Sequence, residues 1–307
     1  MRRFSIAGHS MAPTLVPGEE VVATDSRRPS PDDIVVFEHP AREGFWLIKR
    51  LETEDGWVVS DNPDDADSDS RTLGKIPVEG MLTVVARLDK TTFAEACDLL
   101  AAEEEALQEI VRRWGAPDFW HRSPGFPTLV LLILEQQVSL ESGASMYRRL
   151  AGLVGDVTPK TVLAAGDAAL RSIGVTRQKA GYLLRLAEDV TSGTLDLDWL
   201  ETAPVGDARE ALVSIRGIGP WTADAYLLSA LRHPDMWPTG DRALQVGVGE
   251  TLGMGRAPDE IELEMIAEPW RPLRAAAARL IWHAYLSERG RVEPPDPTLV
   301  HVGGTGA

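Results

Sequence analysis

The chain has 307 residues, of which 44% are hydrophobic and 25% are charged. This composition is typical of globular proteins and excludes a wholly disordered, collagenous or coiled-coil chain, while the length favours two domains. The longest apolar run, Leu129–Leu134, is far shorter than the roughly 18 residues that a membrane-spanning helix needs.

The N-terminal segment and the cysteine count bear on the cellular compartment. Residues 1–13 contain no apolar stretch of the kind found in secretory signals. A single cysteine, Cys97, excludes an internal disulfide, a cysteine zinc site and a four-cysteine iron–sulfur cluster. We therefore expect a cytoplasmic protein without a membrane partner.

The net charge of the chain is strongly negative. It is −16 overall, with −6 in residues 1–94 and −10 in residues 95–307. Such a charge argues against strong non-specific binding to nucleic acid, although it leaves room for a local phosphate-binding face.

Short β-type runs alternate with turn clusters up to about Leu88. Val, Ile, Phe and Trp dominate these runs, and Pro, Gly and Asp bound them, which predicts a small all-β domain. The five predicted strands lie in GEEVVATD, DDIVVFEHP, FWLIKRLE, GWVVSDNP and MLTVVARL.

The pattern becomes helical from Thr91 onwards. Apolar residues from Leu99 to Trp114 form one helical stripe that Gly115 and Pro117 end, and Pro127 suits the first turn of a helix over TLVLLILEQQ. Further helices are predicted near residues 143–153, 168–173, 177–190, 206–215, 221–231, 241–251, 258–267 and 272–289. The sequence thus predicts a β domain over residues 1–90, a connection over 91–103, an all-α domain over 95–290 and a flexible tail over 291–307.

A glycine-rich turn between two predicted helices is the most informative local feature. Gly217-Ile218-Gly219-Pro220 follows one helix, and a second helix begins at about Trp221. The glycines permit left-handed backbone and close approach, and Pro220 suits the first helical position. The turn therefore presents backbone N–H groups at a helix N-terminus, which can bind phosphate without any net positive charge.

Asp241 follows Gly219 by twenty-two residues and opens the next predicted helix. An aspartate at this place is most often a helix cap, and a glycine turn alone is most often only a tight connection. The two features together favour a functional site.

On these residues, the helical half resembles the helix-hairpin-helix DNA glycosylase superfamily, and most of all its 3-methyladenine DNA glycosylase II branch. The matching segments are LILEQQVS (131–139), SIGVTRQKAGYLLRLA (172–187), LVSIRGIGPWTADAYLL (212–228) and MWPTGDRAL (236–244). Their order and spacing also match, and they span the whole half.

The resemblance implies a function and a mechanism. The hairpin Ile215–Thr222 would grip phosphate of double-stranded DNA, with a possible monovalent cation, and the damaged base would be flipped out of the duplex. Asp241 would stabilise positive charge at the sugar, or orient a water, as the N-glycosidic bond breaks. Bifunctional relatives carry a nucleophilic lysine where this chain has Trp221, so we expect a monofunctional enzyme without lyase activity. The resemblance implies that it removes alkylated bases in base excision repair, with water and no organic cofactor.

The resemblance also assigns further contacts to DNA. Gln137 would fill the gap that the flipped base leaves, and Arg177 and Lys179 would meet phosphates. Glu135 stands where the family usually has glycine, and a carboxylate there would weaken DNA binding if it faced the duplex. The predicted DNA-binding residues of the hairpin are Gly217, Ile218, Gly219, Trp221 and Thr222. Four aromatic residues are candidates for lining the base pocket, with Trp237 the first of them because it lies four residues before Asp241, although a single aromatic residue more often belongs to the core: Trp237, Phe126, Trp282 and Tyr285.

In the β half, a serine and a lysine stand out. Ser10 lies in GHSMAPTL, and Lys49 lies among the apolar residues of FWLIKRL. A lysine in apolar surroundings loses its proton more easily and can activate a serine. Taken singly, a surface serine and an edge-strand lysine would be the commoner interpretation.

Residues 4–88 resemble the signal peptidase I-like serine proteases. Their short length and the residues of GWVVSDNP and DSRTLG are most similar to nickel-type superoxide dismutase maturation proteases. The matches are GHSMAPTL, DDIVVF, LIKRL and SDNPDDADSDSRTLGKIP. The resemblance implies Ser10 as nucleophile, Lys49 as general base, Ser70 as a support for the lysine, and a soluble protein or peptide as substrate.

Three other hypotheses remain open. The β half could be a self-cleaving or partner-binding module of a DNA-damage-linked regulatory protein, with a cleavage site in Asp89–Ala101. The helical half could bind DNA without catalysis, although Asp241 speaks against this. The two halves could also be an accidental fusion of unrelated activities.

Overall fold

The computed structural model describes residues 2–25, 28–65, 68–87, 93–118 and 122–299. Contacts between residues divide the chain into two units. Met1–Glu103 and Trp270–Leu273 form the first, here called the strand-rich unit, and Glu104–Pro269 and Arg274–Ala307 form the helical unit. Residues 88–92, where the predicted β domain ends and the predicted connection begins, and residues 300–307 of the predicted tail lie outside the described residues.

One antiparallel sheet of six strands is the main feature of the described part of the strand-rich unit. The strand order is β1-β2-β6-β3-β4-β5. The strands are β1 (Arg2–Ser5), β2 (Glu20–Thr24), β3 (Ile34–Glu38), β4 (Trp46–Thr53), β5 (Trp57–Val59) and β6 (Leu82–Arg87). The five predicted strands are present, and β1 is an addition that the sequence pattern did not indicate.

Two helices accompany the sheet. They are the short α1 (Ser70–Leu73) and α2 (Phe93–Glu103), so the unit is strand-rich and not purely β. Helix α2 packs against β6, which is why it groups with the strand-rich unit although the sequence assigned it to the helical half.

The helical unit has no strand among its described residues. Its helices are α3 (Glu105–Trp114), α4 (Phe126–Glu135), α5 (Leu140–Val154), α6 (Pro159–Ser172), α7 (Arg177–Thr191), α8 (Leu197–Thr202), α9 (Val205–Ser214), α10 (Pro220–Ser229), α11 (Arg242–Thr251), α12 (Glu260–Ala267) and α13 (Arg274–Ser287), with a 3-10 turn at Glu268–Trp270. Helix α4 is the centre of the core: every residue of Leu129–Leu134 is at most 2% exposed.

Two differences from the predicted helices have local causes. Glu104 adopts extended backbone and separates α2 from α3, which interrupts the apolar stripe predicted as one helix. Gly166 inside α6 has a φ of 70°, so two helical segments meet at a kink, and the pattern revealed only the second of them. None of the described helices is long and apolar enough to cross a lipid bilayer.

Candidate functional sites

The glycine turn joins α9 to α10 as a helical hairpin. Gly217 has a φ of 101°, and a Cβ atom there would lie 2.4 Å from Cγ of Tyr182. Only glycine fits a left-handed residue pressed against an aromatic ring. Ile218 is 3% exposed, and its side chain anchors the turn to the core and does not face outward.

The N-terminus of α10 is open to a ligand. Gly219 precedes Pro220 at the start of the helix, both residues are exposed, and no described side chain caps this helix. The first-turn N–H groups of a helix have no acceptor within the helix, so they can donate to an anion. Arg216 is exposed on the same turn. The geometry fits the phosphate-binding role predicted for Gly217 and Gly219.

Asp241 caps α11 and is held by three N–H donors. Its Oδ1 accepts from the backbone N–H of Leu244 at 2.7 Å and from Nε1 of Trp282 at 3.0 Å. Its Oδ2 accepts from Nε1 of Trp221 at 2.7 Å. Capping alone needs only the first of these bonds. Two indole donors therefore fix the carboxylate in a half-buried position and leave Oδ2 with acceptor capacity.

Helix α13 brings Trp282 to Asp241 because α11 and α13 approach each other at Gly247. A Cβ on Gly247 would lie 2.7 Å from Cγ2 of Ile281 and 3.5 Å from Cβ of Tyr285. The missing side chain allows close packing of the two helices. Trp282 is thus a direct partner of the carboxylate.

The other three predicted base-pocket residues lie in different environments. Trp237 is 4% exposed and donates from Nε1 to the carbonyl of Leu263, and Phe126 is also 4% exposed. Both rings lie in the core, which is the commoner place for a single aromatic residue, and their part in the base pocket stays a prediction. Tyr285 is half-buried, and the guanidinium of Arg289 lies 3.8 Å from its ring centroid.

Residues 136–139 connect α4 to α5 and are here called the α4–α5 loop. Gln137 is exposed and has a φ of 59°, a conformation that non-glycine residues adopt rarely. This placement fits the predicted insertion into DNA. Gln136, which the sequence did not single out, donates from Nε2 to Gly217 O at 2.8 Å and to Thr222 Oγ1 at 3.0 Å.

Glu135 turns inward, away from the position that would disfavour DNA. Its carboxylate forms two hydrogen bonds with the Arg122 guanidinium, at 2.9 and 3.0 Å, and its side chain is 4% exposed. Burial raises the pKa of Glu135, and the charge of Arg122 opposes this shift. The expected repulsion of DNA phosphates by Glu135 is therefore absent from the geometry.

The two predicted phosphate-binding cations of α7 differ in placement. Arg177 is exposed, as the prediction requires. Lys179 instead donates to the carbonyls of Leu134 and Gln136, at 2.7 and 2.9 Å, and so supports the end of α4. Thr222 is 1% exposed, and its Oγ1 accepts a hydrogen bond from Gln136 inside the protein. The DNA contacts predicted for Lys179 and Thr222 stay predictions, and in this structure both side chains form hydrogen bonds within the protein.

Carbonyl oxygens of the hairpin are the groups that could hold the predicted monovalent cation. Two of them are engaged: Ile215 O accepts from Ile218 N, and Gly217 O accepts from Gln136. The cation remains a prediction from the resemblance.

The strand-rich unit brings Ser10 and Lys49 together. Nζ of Lys49 lies 2.6 Å from Oγ of Ser10, and Lys49 is only 2% exposed. Its side chain shares the buried face of β4 with Leu47 and Leu51, because alternate residues of a strand point to the same side. Serine loses its proton readily only beside such a base.

Charges around Lys49 oppose one another. Burial lowers the pKa of its amine, while the carboxylates of Asp69 and Asp65 raise it. Burial also disfavours the charge of Asp69, but hydrogen bonds from Arg71 and from Ser60 N–H outweigh this effect and lower the pKa of Asp69 to about 2. Burial and the neighbouring carboxylates therefore have opposite effects on the pKa of Lys49.

Two residues near the pair differ from expectation. Ser70 was predicted to support Lys49, but its Oγ accepts from Val58 N at 2.8 Å, so it stabilises the end of the sheet instead. Asn62, which the sequence did not single out, holds the serine segment. Its backbone N–H donates to Ser10 O at 2.9 Å, and its side chain donates to His9 O at 3.1 Å.

Comparison with known proteins matches a family model to the segment that carries each site. The model of the HhH-GPD superfamily of base excision DNA repair proteins matches residues 130–272, which include the hairpin and Asp241. The model of signal peptidase, peptidase S26, matches residues 1–56, which include Ser10 and Lys49. DNA-3-methyladenine glycosylase 2 of Escherichia coli is 30% identical over 202 residues, covering 60% of this chain and 67% of that protein. The chain belongs to the HhH-GPD superfamily.

Two further relatives define the extent of the likeness. DNA-3-methyladenine glycosylase of Bacillus subtilis is 29% identical over 180 residues, covering 55% of this chain and 57% of that protein. The chain therefore spans little more than half the length of that relative. The solved structure of Schizosaccharomyces pombe 3-methyladenine DNA glycosylase bound to abasic DNA superposes with a TM-score of 0.57 at 21% identity, covering 61% of this chain and 95% of that one. At this identity the likeness shows a shared fold.

Proposed function

We propose that the helical unit is a monofunctional DNA glycosylase that removes alkylated bases of the 3-methyladenine type from double-stranded DNA. The names of the relatives support the substrate class. The observation that carries the proposal is the Asp241 carboxylate, fixed by the N–H groups of Leu244, Trp221 and Trp282. A helix cap explains only one of these three bonds.

The reaction needs a fixed negative charge beside the sugar. The bond between C1′ and the base nitrogen breaks with both electrons leaving on the base, so a cationic alkylated base departs neutral and positive charge develops on the sugar. Asp241 stabilises that charge without having to reorganise, because its donors already hold it in place. Water then adds to C1′ and releases a proton to solvent.

Recognition of DNA divides between two surfaces. The backbone N–H groups at the start of α10 bind phosphate, and the exposed Gln137 occupies the space that the flipped nucleotide leaves. Trp282 and Tyr285, on one side of α13, contact the flipped base. Stacking on an aromatic ring favours a cationic base by about 1–2 kcal/mol where water is excluded.

Base release from methylated duplex DNA tests the proposal. The wild-type chain should release methylated purines, and Asp241→Asn should slow release by about 10²–10³-fold, the usual effect of removing one preorganised charge-stabilising group. Asn keeps the helix cap, so binding to duplex DNA carrying an abasic-site analogue should stay within a few-fold. Asp196→Asn is the matched control, because Asp196 also caps a helix, accepting from Asp198 N and Trp199 N, but lies at α8. Equal loss in the two variants, or full activity of Asp241→Asn, would refute the assignment.

The Ser10–Lys49 pair favours a second candidate function for the strand-rich unit, that of a serine hydrolase of peptide bonds. Ser10 Oγ adds to the substrate carbonyl and its proton passes to the neutral amine of Lys49. The resulting ammonium then protonates the departing nitrogen. Water next attacks the acyl group while Lys49 takes its proton, and that proton returns to Ser10 Oγ as the carboxylic acid leaves. The 2.6 Å separation between the half-buried Ser10 and the buried Lys49 supports this chemistry.

Intact-mass measurement of the purified chain, alone and after incubation with peptide mixtures, tests the second function. Hydrolysis that Ser10→Ala and Lys49→Arg both abolish would establish the pair, and cleavage of the chain itself would favour the regulatory alternative. Base excision should be unchanged in Ser10→Ala. Hydrolysis that persists in Ser10→Ala would exclude Ser10 as the nucleophile.

A further inference from the structure

Gln136 connects two surfaces that lie far apart in the sequence. Its side-chain Nε2 donates to Gly217 O and to Thr222 Oγ1, so one amide bridges the turn and the first helical turn of the hairpin. Its own backbone carbonyl accepts from Lys179 Nζ at 2.9 Å. The residue is thereby fixed at both ends.

The residues on either side of Gln136 are also fixed. Glu135 is held inside by Arg122, and Leu134 O accepts from Lys179 Nζ at 2.7 Å. Helix α4 thus ends at a constrained point, and Gln137, which follows Gln136, lies in the left-handed region with a φ of 59°. Backbone in such a region is strained by an amount on the order of 1–3 kcal/mol and persists where its surroundings determine it.

We propose that Gln136 is a positioning residue for base flipping, and this inference rests on the proposed glycosylase function. It joins the α4–α5 loop to the hairpin, so that the exposed Gln137 side chain and the phosphate-binding N–H groups keep a constant separation. Flipping requires both at once: the hairpin holds the backbone while Gln137 enters the stack. Without the two hydrogen bonds of Gln136, the α4–α5 loop and the hairpin still form, but they no longer contact DNA at a fixed separation.

The location of the bridge supports this role over simple surface packing. Thr222 is 1% exposed and Gln136 is half-buried, so the two hydrogen bonds are shielded from water. A hydrogen bond in such surroundings is directional, and its loss leaves the Gly217 carbonyl without that partner. The carbonyl belongs to the residue whose left-handed backbone shapes the hairpin.

Gln136→Met tests the inference, since methionine keeps the length of the side chain and removes its donor. The readout is the fluorescence of 2-aminopurine placed beside an abasic-site analogue in duplex DNA, together with single-turnover base release from methylated duplex. We expect the fluorescence rise to fall at least several-fold and base release to slow about tenfold, with binding to undamaged duplex within twofold of wild type. Thr222→Val, which removes one of the two acceptors, should show the same pattern at smaller size. Gln108→Met is the matched control, because Gln108 is an exposed glutamine of α3 that lies in neither the α4–α5 loop nor the hairpin.

A double variant separates positioning from a structural effect. If Gln136 acts through Gln137, then Gln136→Met in a Gln137→Ala background should lose nothing further, whereas independent roles would multiply the two losses. Multiplied losses, or wild-type fluorescence in Gln136→Met, would overturn the inference. A wild-type chain that neither flips nor releases bases would instead refute the proposed glycosylase function.

Discussion

Replacement of Arg122 by methionine should destabilise the helical unit severely. The Arg122–Glu135 pair is bidentate, and its side chains are 13% and 4% exposed. Removing one partner of a buried pair costs about 3–5 kcal/mol, because the other charge stays buried without compensation. Asp296 and Glu293 add further negative charge next to Arg122, and Oδ2 of Asp296 is buried without a described hydrogen-bond partner. We therefore expect a loss towards the upper end of that range.

An exposed ion pair provides the comparison. Arg148 bonds to Glu141 at 2.8 Å, and its side chain and that of Glu141 are 47% and 69% exposed. Arg148→Met should change the unfolding free energy by about 0–1 kcal/mol, since water screens such pairs. The difference between the two variants isolates the effect of burial.

Urea and thermal unfolding followed by tryptophan fluorescence measure these losses. Arg122→Met should lower the midpoint of the helical unit by roughly 6–20 °C, given about 2–4 °C per kcal/mol at this size. Without Arg122, burial and the nearby carboxylates leave the pKa of Glu135 above its usual value. The folded variant then binds more protons than the unfolded chain, so its stability should fall as pH rises from the ordinary pKa of a glutamate, about 4.3, through the raised pKa of Glu135. A loss below about 1 kcal/mol, or no recovery in the Arg122→Met/Glu135→Leu double variant, would refute the reasoning.

Three further outcomes are expected. Burial lowers the pKa of Lys49, so between that lowered pKa and 10.5 the unfolded chain binds a proton that the folded chain does not. The stability of the strand-rich unit should therefore rise with pH over this interval, and any Ser10-dependent hydrolysis should rise with pH through the lowered pKa. Lys49→Met should abolish both trends in pH-dependent melting and peptide assays. Gly217→Ala, with its Cβ pressed on the Tyr182 ring, should destabilise by more than about 1 kcal/mol and weaken DNA binding in fluorescence anisotropy, whereas Gly206→Ala, with nothing within 4 Å, should do neither. Borohydride should trap no covalent complex with abasic DNA, because Trp221 offers no amine; a trapped adduct would contradict the monofunctional assignment.

Local patterns predicted much of the architecture. Alternating apolar residues indicated five of the strands, and the glycine after Trp114 indicated the end of α3. Strand β1 was missed because its four residues, two of them arginines, show no alternation. Helix α8 was missed because six residues are too few to establish a helical period.

The candidate sites divide in the same way. The hairpin glycines and Asp241 could be predicted because their spacing within one segment carries the chemistry. The bond from Gln136 to Gly217 joins residues 81 positions apart, and no local period encodes such a pairing. The charge of Lys179 suggested a contact with phosphate, but two carbonyls at the end of α4 accept hydrogen bonds from it. For Trp237 and Phe126, the sequence alone does not distinguish a ring in the core from a ring in a pocket.

The open N-terminus of α10 has a consequence for how the protein would search a genome. Binding through uncharged N–H groups displaces few of the counterions condensed on DNA, so affinity should vary little with ionic strength. An acidic molecule of net charge −16 would also gain little from long-range attraction to undamaged duplex. Complexes with intact DNA would then be short-lived, and long-lived complexes would form only where a base already leaves the stack easily.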